Sequence, residues 1–300
     1  MQVQMAEMQE KGFAASTCQI LAKAVGSFLE SQGLPLKLKQ KDLPRGYANG
    51  QSLAMKEHIR GMWDYAPTEN KLKSRALVML LKDSGLRVSD VSAMNVGHYV
   101  EADKVDREGA TFAVFKTFET EKTKAPAHIH LGPEAVNAID AYLEEMKEQG
   151  LPTDDDSPLI PNRFGKRSSP DTLSALFRRL ARLIEAKDIS AHSLRKFHTT
   201  TLQGAGLNDS WIKLLQGKRI QGSMEAYTRP YENGQLTKKY IEAYSQLRVF
   251  GTEASAQKVK EQEDEIEKLR QELSHTREDF DRLRDQYNGV FISSITKDWS

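Results

Sequence analysis

Four short stretches of this chain hold residues able to act on a phosphodiester. In Ser84–Asp90 (SGLRVSD), Arg87 sits just past a glycine, with Asp90 three residues on. A guanidinium is a rigid fork of donors that can hold two phosphate oxygens at once. Residues 119–126 (ETEKTKAP) place Lys122 and Lys124 in a charged turn. There an ammonium can give a proton to a departing alkoxide, provided nearby cations lower its pKa. In residues 190–201 (SAHSLRKFHTTT), His192 and Arg195 stand three apart, so one helical face presents both to a single phosphate. Residues 214–230 (LLQGKRIQGSMEAYTRP) bring Tyr227 nine residues after Lys218. A phenol with a pKa of ~10 is a poor nucleophile at pH 7 until arginines and a nearby base favour the phenolate.

Taken singly, each stretch also reads as a surface turn, an ion pair or a packed aromatic. His128, His130, His192 and His198 offer a metal alternative. No Asp or Glu stands beside them at a familiar ligand spacing, and Arg195 repels a cation, so no metal is expected. No Walker-type phosphate loop is present either, so no nucleotide cofactor is expected.

The elements that must carry these residues are mostly helical. Ile20, Leu21, Ala24, Val25, Phe28 and Leu29 have helical spacing within residues 14–32 and predict an apolar face there. A basic linker follows to about Gly50, with Lys37, Lys39 and Lys41 as candidate DNA contacts. Residues 74–86 predict a strongly apolar helix stopped near Gly85, and Ser89 reads as the N-cap of the next. Phe112, Val114 and Phe115, then Ile129 and Leu131, predict two strands around the lysine turn. Helices are expected at 133–149, 171–186, 193–205, 208–216 and 235–247. Beyond them, Val259, Ile266, Leu273, Phe280 and Tyr287 recur every seven residues, with Leu269, Leu283 and Val290 on the second seam. That is a coiled-coil signature.

Composition sets the class. No run approaches the ~18 apolar residues of a membrane helix, the N-terminus lacks a signal-peptide layout, and Cys18 is the single cysteine. The expected location is therefore a reducing cytoplasm, with association to the nucleoid if DNA is the substrate. The net charge of +1 hides an asymmetry: residues 160–230 carry 13 basic against 5 acidic residues, and residues 251–300 carry 8 against 12. Phosphate binding needs only such a local surplus. Arg163, Lys166, Arg167 and Lys196 within it join the candidate DNA contacts.

Taken together and in order, SGLRVSD, EKTK, HSLR, LLQGK and EAYTRP resemble the tyrosine recombinase and integrase family over roughly residues 50–250. Residues 81–96 and 227–249 are most similar to archaeal-type integrases. The resemblance implies a mainly α fold with a small antiparallel β-sheet, to which this chain adds the C-terminal coiled coil. It implies three parts: a short helical arm or partial core-binding domain (1–49), a catalytic domain (50–250) and an oligomerisation segment (251–300). It makes Tyr227 the nucleophile, in preference to Tyr231, Tyr240 and Tyr244, because the family's spacing after the Lys218 position fits Tyr227. Arg87 and Arg195 become the phosphate-gripping arginines, His192 their partner, Asp90 a buttress, and Lys122 the general acid with Lys124 as alternative. Lys218 stands where the family usually has His or Trp. The implied substrate is double-stranded DNA, the implied assembly a tetramer on DNA, and residues 235–250 the segment that docks on a neighbour. The implied function is site-specific recombination for a virus or other mobile element. A chromosome-dimer resolvase or a type IB topoisomerase-like enzyme shares the chemistry. A non-catalytic coiled-coil DNA-binding protein is the alternative of another class.

Overall fold

The computed structural model describes residues 7–8, 10–34, 43, 52–116, 118–220, 234–251 and 277. Tyr227, Tyr231, the linker lysines Lys37, Lys39 and Lys41, and every heptad position named above lie outside the described residues. Among the described residues the helices are α1 (Ala15–Ser31), α2 (Lys56–Asp64), α3 (Lys71–Ser84), α4 (Val88–Ala93), α5 (Val96–Val100), α6 (Pro133–Glu148), α7 (Pro170–Leu183), α8 (Ala191–Gly204), α9 (Asp209–Leu215) and α10 (Gln235–Leu247). The strands are β1 (Asp103–Arg107), β2 (Ala110–Val114), β3 (Phe118–Glu119), β4 (Pro126–Ala127) and β5 (His130–Leu131). No described helix is long and apolar enough to cross a membrane.

The core is organised around α3. Every residue from Ser74 to Ser84 is buried, so this helix is enclosed on all sides, as its nearly continuous apolar run requires. It packs against α2, α6, α7 and α8. Helix ends follow their local chemistry. Pro133 and Pro170 open α6 and α7, where a missing N–H is harmless. The Ser169 and Asn208 side chains cap α7 and α9.

Four expectations need correction. Phe112 and Val114 do lie on a strand that pairs with Leu131's strand, in a sheet ordered β1-β2-β5. The lysine turn, however, tips a separate ribbon in which Phe118 pairs with Ala127 and Glu119 with Pro126. Strand β1 escaped notice because Asp103–Arg107 is polar and largely exposed at the sheet edge. Ser89 is not a cap: α4 begins one residue earlier, and the Arg87 N–H donates to Asp90 Oδ2 at 3.2 Å. On α1, Cys18 and Ala22 are the buried residues, beside Leu43, whereas Ile20, Leu21, Val25 and Phe28 are exposed.

The fourth correction concerns α10, which packs on its own chain. Leu236, Tyr240, Ala243, Tyr244 and Leu247 form one buried face against this protein's core. A charged cluster pins its end. Lys82 Nζ lies 2.7 Å from Asp83 Oδ1 and 2.5 Å from Glu134 Oε2, all largely out of solvent. Burial acts to lower the Lys82 pKa, but the two carboxylates more than reverse that and hold it raised. Glu134 Oε1 accepts the N–H groups of Val249 at 2.9 Å and Phe250 at 2.6 Å. The Arg60 guanidinium donates to the Val249 carbonyl at 2.9 and 2.7 Å. Lys82→Met would leave two buried carboxylates without their cation. It should lower unfolding free energy by about 3–5 kcal/mol. Urea unfolding followed by circular dichroism checks this, and a loss below ~1 kcal/mol would contradict the assignment.

Candidate active site

The site begins where α3 stops. Gly85 adopts the left-handed conformation, φ +58°, and its N–H returns to Leu81 O at 3.1 Å. The turn also sits too close to other groups for a side chain. A Cβ there would lie 2.6 Å from His198 Nδ1 and 2.7 Å from Gln216 Nε2. Two residues on, Arg87 is fixed through its backbone by Asp90. The Arg87 side chain is 27% exposed, and its Nη1 stands 3.8 Å from Asp90 Oδ2. That Nη1 is shielded from solvent and makes no hydrogen bond among the described residues. Asp90 is fully buried, and its Oδ1 accepts the Glu121 N–H at 2.9 Å, tying the lysine-bearing ribbon to the start of α4.

Arg195 comes from the first turns of α8 and is almost wholly buried. Its Nη1 donates to Gly85 O at 2.8 Å and its Nη2 to Gln216 O at 3.3 Å. His192, one turn earlier, is exposed. Lys218 is placed by the end of α9. Gly217, φ +60°, donates to Leu214 O at 3.2 Å, and the Lys218 N–H donates to Lys213 O at 2.9 Å. This is the paired bond pattern of a glycine-terminated helix, and it fixes the residue after the glycine. The same turn rests on the ribbon: Thr123 Oγ1 donates to Gly217 O at 2.9 Å, and Arg219 Nε donates to Thr123 O at 3.1 Å.

Arg87, His192, Arg195 and Lys218 are thus brought together, and their electrostatics show it. Burial lowers the Arg195 pKa to about 10, aided by the Arg87 charge and opposed by Asp90. Burial, then Arg195, lowers Lys218 to about 8, with Arg87 and Lys213 adding to the effect and Asp209 opposing it. His192, exposed on one side, is lowered by partial desolvation on the other, then by Arg195, Lys196, Lys218 and Arg87. A cation cluster of this kind binds an anion strongly, because an anion relieves the mutual repulsion.

Other sequence candidates are placed differently. Lys122 and Lys124 are exposed at the ribbon tip. Lys124 pairs with Glu121 at 3.6 Å and Glu119 at 3.8 Å, while Lys122 makes no ion pair among the described residues. Arg167 serves the fold, donating to Ser92 O at 2.7 Å and to Asn95 Oδ1 at 2.5 Å. Arg163 lies over the Phe164 ring, and Lys166 is exposed on the same turn. The four histidines do not gather. His130 is buried between the His128 carbonyl and Thr237 Oγ1, His198 lies beneath Gly85, and no cluster of three metal-ligating groups occurs among the described residues.

Sequence reasoning missed one wall of the site. A cavity of about 470 Å³ is lined by Arg87 and His192 together with Asp171, Ser174 and Arg178 of α7. Their spacing, three and seven residues from Asp171, is the available signal for one helical face. A larger groove of about 880 Å³ between β1–β2 and α10 lies apart from these residues.

Residues 55–233 match the model of the phage integrase family. That is more than half of the chain, which therefore belongs to this family of DNA strand-transferring tyrosine recombinases. Solved structures share the fold at low identity. The Tn1549 transposon integrase in complex with circular intermediate DNA is 15% identical, covering 75% of this chain and 82% of that one, TM-score 0.52. A lambda integrase dimer bound to a core site is 14% identical over 75% and 77%, TM-score 0.51. XerH recombinase in a post-cleavage complex is 14% identical over 82% and 69%, TM-score 0.53. A comparison with curated proteins finds no match.

His198 gives this site a pH signature. Burial, then the Arg195 and Lys218 charges, lowers its pKa to about 3 from an ordinary 6.5. The unfolded chain then binds the extra proton first, so stability is full above pH ~6.5 and falls as pH drops toward 3. Between pH 7 and 4.5 the wild type should lose about 2–3 kcal/mol more than His198→Phe does, measured by urea titration at each pH. Parallel curves would show that His198 is not held neutral.

Proposed function

We propose that this protein is the site-specific recombinase of a virus or other mobile element, cutting and rejoining DNA through a covalent bond to Tyr227. The observation that carries this reading is the convergence of Arg87, His192, Arg195 and Lys218, with the buried acid Asp90 beside the two arginines. In this reading Tyr227 Oη attacks phosphorus, forming a 3′-phosphotyrosyl bond, and the 5′-oxygen departs. Arg87, Arg195 and Lys218 stabilise the charge that develops on the phosphoryl oxygens. His192, whose pKa partial burial and the neighbouring cations lower, accepts the tyrosine proton. Lys122 protonates the leaving oxygen. Two glutamates engage Lys124, whereas Lys122 makes no ion pair among the described residues, which favours Lys122. A 5′-hydroxyl of the partner strand then reverses the reaction, so bond energy is conserved and no nucleotide is consumed.

The substrate is double-stranded DNA, whose backbone follows the cleft past Ser174 and Arg178. DNA complexes among the similar structures, one a dimer and one post-cleavage, support this. Four active sites are needed for complete exchange, so the working assembly is a tetramer. In this reading residues 1–49 form a DNA-binding arm or partial core-binding domain, 50–250 the catalytic domain, and 251–300 a coiled coil that joins protomers. Deleting residues 252–300 should therefore lower the mass measured by light scattering, and an unchanged mass rejects the coiled coil.

A nicked suicide substrate carrying the element's own attachment sequence tests the chemistry. Wild type should give an SDS-resistant protein–DNA adduct, and Tyr227→Phe should give none while still binding DNA. An equal adduct from Tyr227→Phe overturns the choice of nucleophile. Binding without any wild-type adduct points instead to a non-catalytic DNA-binding protein.

A further inference from the structure

Beneath the cation cluster lies a polar pair that the chemistry above does not use. Gln216 and His198 are both fully buried. Two apolar side chains would fill such a space without the desolvation that buried polar groups suffer. Gln216 Nε2 donates to His198 Nδ1 at 2.7 Å and lies 3.0 Å from Thr199 Oγ1. The Thr199 hydroxyl donates to Arg195 O at 2.9 Å. The pair lies directly against Gly85, whose carbonyl holds Arg195. The Gln216 backbone carbonyl is the second holder of Arg195, and Lys218 follows two residues later in the same turn.

We propose that Gln216, seated on His198 and Thr199, is a positioning residue for strand cleavage. Its side chain locks the end of α9 against α8. Its own carbonyl then fixes the Arg195 guanidinium, and the turn that follows fixes Lys218. Neither Gln216 nor His198 reaches solvent, so neither can touch DNA, and their influence falls on the reacting geometry and not on affinity. This inference rests on the recombinase reading of the same site.

The test separates packing from positioning. Gln216→Leu leaves His198 Nδ1 without its donor, so it loses stability as well as alignment. The double variant Gln216→Leu with His198→Phe removes both polar partners and restores an apolar fit, so its thermal midpoint should return toward wild type. Single-turnover cleavage of the suicide substrate at saturating protein, and DNA affinity, are measured for wild type and both variants. Both variants should cleave about 10–100-fold more slowly, as small misplacements of catalytic groups do, while binding DNA within about threefold of wild type. A double variant that regains both stability and cleavage rate overturns the proposal, because packing alone then suffices. Should the double variant not fold, Thr199→Val removes one contact of the Gln216 amide at nearly constant volume. Slower cleavage at unchanged affinity supports the proposal, and wild-type cleavage overturns it. Absence of an adduct from the wild type is a different failure, that of the recombinase reading itself.

Discussion

Arg195 is a buried cation, and a buried cation must be hydrogen-bonded or it destabilises the fold. The two carbonyls that satisfy it, Gly85 O and Gln216 O, lie at the C-terminal ends of α3 and α9. Carbonyls at a helix end lack intrahelical partners and carry the negative end of the helix dipole. A single guanidinium therefore answers two unsatisfied helix ends, and they answer its charge. That exchange fixes where three helices meet, because α8 supplies the arginine and the other two supply the acceptors.

From this meeting point the rest of the site closes into a ring. Gly85 leads to Arg87, whose N–H is held by Asp90. Asp90 also holds Glu121 on the ribbon, the ribbon threonines hold Gly217 O, and the same turn contains Gln216. Four motifs far apart in sequence are thereby tied together by bonds between side chains and backbone, and Arg87 Nη1 is left without a hydrogen bond among the described residues. The cavity wall contributed by α7 stands outside the ring, facing Arg87 and His192 across the cleft.

How much of this was legible depended on whether the signal was local. Arg87 and Asp90 could be found because a glycine stop and an acid three residues beyond an arginine lie in one short stretch. His192 and Arg195 could be found from helical spacing. The partners of Arg195 could not, since they are backbone carbonyls 110 and 21 residues away and every residue has one. Gln216 was silent for a related reason: an amide at a helix end resembles a solvated terminus until Gly85 and His198 are brought over it. The polar face of α7 resembled a solvated helix surface, and polar β1 resembled a loop. Tyr240 and Tyr244 stand four apart and share one helical face, but that this face meets its own chain depends on Asp83 and Glu134, which lie elsewhere in the sequence.

The anchoring of α10 bears on Tyr227, the proposed nucleophile. Tyr227 stands nine residues after Lys218 and eight before Gln235. Lys218 is held by the glycine turn on the ribbon, and Gln235 begins a helix pinned by two buried tyrosines and the Lys82 cluster. An extended chain spans at most ~3.3–3.6 Å per residue, so the phenol is leashed within roughly 30 Å of each fixed end. A tether of that length keeps its effective concentration at the arginines far above that of a free molecule in solution. Loosening α10 would lengthen the leash without touching the site. The buried Lys82–Asp83–Glu134 cluster, an expensive feature by desolvation, thus has a consequence beyond stability: it holds one end of the segment that carries the proposed nucleophile.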